Sequence, residues 1–111
     1  MKIIYPSLKP SVAKDGTIIV DDTVTEALYA LNSDGSQKWV NNSIGRVHNS
    51  SAAIGDDGTV YIATNLGLFA LDSDDGLVKW KIDNVSAASP AIGADGTLYA
   101  GWNYNIYAIG E

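Results

Sequence analysis

Ala53-Ile54-Gly55-Asp56-Asp57-Gly58-Thr59-Val60-Tyr61-Ile62 decides the fold, because the chain says nearly the same thing twice more. Ser11-Val12-Ala13-Lys14-Asp15-Gly16-Thr17-Ile18-Ile19-Val20 comes before it, and Ala91-Ile92-Gly93-Ala94-Asp95-Gly96-Thr97-Leu98-Tyr99-Ala100 after it. In each copy two apolar runs flank an Asp-Gly pair, and that pair supplies the positive φ that a tight hairpin demands. Gly16, Gly58 and Gly96 lie 42 and 38 residues apart, and the downstream alanines Ala30, Ala70 and Ala108 lie 40 and 38 apart. The period is constant to within a hairpin insertion.

Outward from the Asp-Gly turn of the second unit, turn dipeptides punctuate apolar runs about every eight to twelve residues, which is the pattern of short strands. Four strands are expected there, over residues 51–55, 59–64, 68–72 and 77–82, counted from the hub outward. No segment of ten or more residues shows helical periodicity. A β-repeat near 40 residues is a propeller blade. The chain is therefore expected to be all-β, a single propeller segment over 1–111 carrying three four-stranded antiparallel blades. Blade one is placed at 8–48, blade two at 49–86 and an incomplete blade three at 87–111. The first unit has a two-residue insertion around Val24-Thr25, between its second and third strands.

The third unit reaches Gly110-Glu111 straight after its third strand, and residues 1–7 supply the candidate fourth. Lys2-Ile3-Ile4 resembles Lys38-Trp39-Val40 and Lys79-Trp80-Lys81, and Lys9-Pro10 precedes the first unit as Ser89-Pro90 precedes the third. Three blades are too few to close a ring, since propellers hold about four to eight. Residues 1–5, opening on Met1 and closing on Tyr5, are expected to pair with the open edge of the third blade in another copy, the strand that holds Ile106 and Ile109. Two copies then supply six blades, and the expected assembly is a C2 homodimer forming a six-bladed ring by strand exchange.

Ala70-Leu71-Asp72-Ser73-Asp74-Asp75-Gly76-Leu77-Val78-Lys79-Trp80 fits A-x-D-x-x-x-G-x-x-x-W, and Ala30-Leu31-Asn32-Ser33-Asp34-Gly35-Ser36-Gln37-Lys38-Trp39 is the same pattern one residue shorter. With the Ser89-Pro90-Ala91 opening, the chain resembles the PQQ-type repeat of quinoprotein alcohol dehydrogenase-like propellers over essentially all of residues 8–110. The resemblance implies a tryptophan docking arrangement made of Ala30, Gly35 and Trp39 in the first unit and Ala70, Asp72, Gly76 and Trp80 in the second. The small alanine leaves room for a neighbouring indole, the glycine lets a peptide plane stack on the ring, and a buried indole N–H needs a carbonyl. Trp39 and Trp80 are expected to be buried between blades. The pattern speaks for the fold and is silent about a cofactor, since many proteins with these repeats bind no quinone. Enzymes of the family hold a calcium-bound quinone in the hub of a closed ring, capped in several members by adjacent cysteines. This chain has no cysteine and no insertion bearing acidic clusters. No catalytic residue, cofactor or metal is expected, because fold alone does not confer function.

Thirteen acidic against seven basic residues give a net charge of -6 and a pI near 4.4. That balance argues against nucleic acid and anionic membrane surfaces, which need a positive footprint. No apolar stretch approaches the roughly 20 residues of a membrane span, and no signal-peptide pattern opens the chain. Members of the family are often exported, so the compartment stays open. Asp72-Ser73-Asp74-Asp75-Gly76 has the composition of a calcium loop without its spacing: Leu77 stands where glycine is due at the sixth position and Asp83 where glutamate is due at the twelfth. It reads as a hairpin turn. His48, the only histidine, reads as a loop residue. The N-x-S/T patterns at Asn41-Asn42-Ser43, Asn49-Ser50-Ser51 and Asn84-Val85-Ser86 matter only in a chain secreted by a eukaryote.

Trp102-Asn103-Tyr104-Asn105 stands where the second unit has Thr64-Asn65-Leu66-Gly67. Large amphipathic side chains at a hairpin tip either bind a sugar or protein surface or pack against an adjoining blade. Two function classes follow. One is a non-catalytic scaffold that self-associates to close a ring, its partner a second copy of the chain. The other is a glycan- or peptide-binding propeller in which Trp102 and Tyr104 line the groove, its partner an unidentified protein or glycan.

Overall fold

The computed structural model describes residues 10–22, 24–47, 51–83, 90–102 and 105–109, the side chain of Trp102 excepted. The first sheet contains β1 (Ser11–Val12), β2 (Ile18–Asp22), β3 (Ala27–Leu31) and β4 (Gln37–Asn41). The second contains β5 (Ala53–Ile54), β6 (Val60–Thr64), β7 (Gly67–Leu71) and β8 (Val78–Asp83). The third contains β9 (Ala91–Ile92), β10 (Leu98–Trp102) and β11 (Asn105–Ile109), and residues 1–7, the candidate fourth strand, lie outside the described residues. Every pairing is antiparallel and joins strands consecutive in sequence.

The three Asp-Gly turns are built alike. Gly58 N donates to Gly55 O and Gly55 N to Thr59 O, each at 2.9 Å, while Asp57 Oδ1 accepts Thr59 N at 2.9 Å. The same bonds recur at Ala13, Gly16 and Thr17 with Asp15, and at Gly93, Gly96 and Thr97 with Asp95. Gly16, Gly58 and Gly96 stand at φ 91°, 89° and 87°, the left-handed step that lets a three-residue loop match the twist of its strands. The one-residue difference between the first two docking patterns sits in the next hairpin. Gly35 N donates to Asn32 O and Asn32 N to Ser36 O, whereas Gly76 N donates to Asp72 O and Asp72 N to Leu77 O, one residue further on. The insertion near Val24-Thr25 lodges between β2 and β3, where Asp22 Oδ1 accepts Val24 N at 2.9 Å and Thr25 N at 3.3 Å.

Period-two side-chain placement gives each middle strand two apolar faces. Val60 and Ile62 of β6, with Phe69 and Leu71 of β7, meet Ile19, Leu28, Ala30 and Trp39 of blade one. The alternate residues Ala63 and Leu68 meet Leu98 and Ala100 of blade three, flanked by half-buried Tyr61, Trp80, Ile82, Ile92 and Ile109. Blade two is thus packed on both sides, which is why β7 is buried along its whole length and reads as a continuous apolar run.

Two bulges occur at one repeat position. Ala30 faces Trp39 while Leu31 faces Gln37, and Ala70 faces Trp80 while Leu71 faces Val78, so Lys38 and Lys79 are the extra residues.

Candidate interaction surface

The contact between blades one and two centres on Trp39, which is buried. Its Nε1 donates to Ser73 O at 3.0 Å. Gly76 lies against the ring: a Cβ there would come within 2.4 Å of Cε3, and φ 74° also favours glycine. Asn41, two residues beyond the indole, donates from Nδ2 to Gly76 O at 2.8 Å. The tryptophan of one unit therefore docks on the turn of the next, and the fully buried Ala30 opposite it leaves the space.

Trp80 is placed differently. It faces the fully buried Ala70 and lies 5.8 Å from the Tyr61 ring, tilted by 43°. It is half-buried rather than enclosed, and it borders a cleft of about 240 Å³ with Leu98, Ile109 and Lys79. The third unit's counterpart of Ser73 is Glu111, outside the described residues. Gly35 is buried within its turn, and Asp72 closes its own by accepting Asp74 N at 2.8 Å. Trp102 ends β10 opposite Asn105; its side chain, Tyr104 and His48 lie outside the described residues.

A strap after β4 adds contacts that turn chemistry alone does not announce. Thr64 Oγ1 donates to Ile44 O at 2.6 Å, Asn65 N donates to Arg46 O at 3.0 Å, and Arg46 N donates to Asn65 Oδ1 at 2.7 Å. Val47 bridges to Thr64, and Ile44 is fully buried. The one signal for this in the sequence is the pair of apolar residues, Ile44 and Val47, in an otherwise polar link.

Blade three leaves one face bare. Leu28 and Leu68, at one repeat position, are 2% and 0% exposed, but their counterpart Ile106 is 82% exposed. Ala30 and Ala70 are fully buried, and their counterpart Ala108 is exposed. Tyr99 is 40% exposed where Ile19 is 2%. Among the described residues β11 is also the open edge of its sheet. An exposed apolar face beside an open strand edge is the kind of surface on which further β-structure can pair and pack.

Turn acids converge between the first two blades. Asp15, Asp56, Asp57 and Asp74 gather with Lys14 around a cleft of about 340 Å³ between blades one and two. Asp75 Oδ1 accepts Leu77 N at 3.0 Å, so this acid is engaged in its turn. Among the described residues no group of three His, Cys, Asp or Glu side chains is placed to hold a metal ion. The backbone N–H and hydroxyl of Thr17, Thr59 and Thr97 hold the carboxyls of Asp15, Asp57 and Asp95 below the usual value near 3.8. The Ser36 hydroxyl and N–H do the same for Asp34. A carboxyl lowered by folding stabilises the native state above its unfolded value and loses that contribution as pH falls through the folded one. The urea midpoint is accordingly expected to fall between pH 5 and pH 3, most steeply below pH 4; a midpoint flat across that range would remove these turns from the list of stabilising contacts.

No family model and no curated protein matches the chain. Among solved structures it is similar to BamB from Moraxella catarrhalis, with a TM-score of 0.74 and 26% identity over 89% of this chain and 31% of that one. It is also similar to a protein provisionally named a gluconolactonase, with a TM-score of 0.64 and 17% identity over 96% of this chain and 41% of that one. At that identity the second likeness is one of fold alone. The chain spans less than half the length of either neighbour. Sheet order, blade packing and these neighbours agree: the fold is that of a β-propeller.

Proposed function

We propose that this chain is a non-catalytic propeller module of the PQQ-type repeat class that closes a ring with a second copy of itself and serves as an interaction scaffold. The observation that carries the reading is the contrast within the repeat, Leu28 and Leu68 covered and Ile106 bare. The position that packs twice inside the chain is offered a third time to a partner. The docking geometry of Trp39 on Ser73 and Gly76 supports the repeat class, and the likeness to BamB supports the scaffold role. Lys2-Ile3-Ile4 repeats the pattern of the fourth strand, so the same sequence is fitted to the edge of β11. Two copies bring six blades, within the range of about four to eight for closed rings.

Light scattering at micromolar concentration is expected to give twice the 11.7 kDa chain mass. Deletion of residues 1–5 is expected to yield monomer or aggregate. A full-length monomer, or a dimer indifferent to the deletion, would overturn ring closure by strand exchange.

A further inference from the structure

In blades one and two the bulge residue is a lysine that reaches back across the sheet to the first turn of its own blade. Lys38 Nζ lies 3.4 Å from Thr17 Oγ1 and 3.8 Å from Asp15 Oδ2. Lys79 Nζ donates to Thr59 Oγ1 at 3.0 Å, and its charge helps to hold the Asp57 carboxyl down. Each complete blade is thereby clasped from its fourth strand to its first hairpin. Blade three has the acid and the hydroxyl of this clasp, Asp95 and Thr97, in the same turn geometry. Its lysine is missing among the described residues: donors from Thr97 and the Asp95 backbone hold the Asp95 carboxyl low, with no ammonium contributing. Lys14 and Lys81 are engaged elsewhere, with Asp56 at 2.9 Å and Asp83 at 2.8 Å. The chain's remaining lysines are Lys2 and Lys9.

We propose that Lys2 of a second copy closes the third clasp, seating on Asp95 and Thr97 where its N-terminal segment extends the sheet beyond β11. This rests on the self-association reading above and specifies its register. Lys2 precedes Ile3 as Lys38 precedes Trp39 and Lys79 precedes Trp80. Since Ala30 faces Trp39 and Ala70 faces Trp80, the repeat sets Ala108 opposite Ile3 and leaves Lys2 as the bulge residue. Main-chain pairing along an open edge is nearly blind to sequence, and a slip of one residue would turn Ile3 to the wrong face. A cation that fits one acid-hydroxyl pair removes that freedom. The clasp is a register lock for the seam.

Charge reversal in the full-length chain separates this from the broader reading. Lys2→Glu and Asp95→Lys are each expected to weaken the dimer about tenfold in sedimentation equilibrium, by placing like charges at both seams. Mixed one to one, the two variants are expected to form a heterodimer as tight as the unsubstituted dimer, because one seam is native and the other has the pair exchanged. Asp95→Asn keeps the acceptor for Thr97 N and removes the charge, and is expected to weaken the dimer by about threefold. Variants that dimerise as well as the parent would overturn the clasp and leave self-association standing. Weakened variants that the mixture fails to rescue would overturn the contact between copies. A monomeric parent would overturn both.

Discussion

Trp39→Ala is expected to lower stability by about 3–5 kcal/mol, the usual cost of removing a well-packed aromatic with its cavity left behind. At about 4 °C per kcal/mol for a chain of this size, the melting temperature should fall by roughly 12–20 °C. Three losses coincide at this site. The indole leaves the core cluster of blades one and two, Ser73 O loses its donor, and Gly76 loses the ring it lies against. Trp80→Ala provides the internal comparison, because its half-buried ring has no Ser73 counterpart among the described residues. In a preparation kept monomeric by dilution it should cost less than Trp39→Ala. A fall of only a few degrees for Trp39→Ala in differential scanning calorimetry would contradict the docking assignment.

Ile106→Arg is expected to weaken the proposed dimer by a hundredfold or more and to leave the fold of the separate chain unchanged. With 82% exposure the side chain has little internal packing to lose. Enclosed by a second blade, an unpaired guanidinium would cost several kcal/mol, and each 1.4 kcal/mol is a factor of ten in dissociation constant. Leu68→Arg, at the same repeat position but fully buried in blade two, should unfold the chain outright. Sedimentation and far-UV circular dichroism distinguish the two results. An Ile106→Arg chain that dimerises as tightly as the parent would show that the bare face of blade three is not the seam.

The turns and strands were legible because their causes are local. Asp57 and Gly58 set the hairpin through one carboxylate and one left-handed step, both within the turn itself. Strand ends agree to within one or two residues: the sequence pattern predicts 77–82 for the strand at Val78–Asp83, and 51–55 for the shorter one at Ala53–Ile54. Ladder hydrogen bonds, not side chains, decide those limits. The docking residues could be found, but not the partner of each. Ala70, Gly76 and Trp80 belong to one written pattern, yet Gly76 meets Trp39 of the preceding unit. In a repeat, a motif spaced by one period has the same appearance whether its parts meet within a unit or across two. The lysine clasp was hidden for another reason. It depends on a bulge, and a single extra residue in a ladder leaves no periodicity to read.

That every strand pairs with its neighbour in sequence has a kinetic consequence. Each sheet needs only hairpins, so its closure entropy is small, and the longer-range contacts between sheets arrive at a separation of about one repeat. A nascent chain can finish one sheet before the next exists, then lay the next against a completed surface. If a second copy closes the ring as proposed, that seam is the step left to diffusion. Its rate must scale with protein concentration, while everything before it does not.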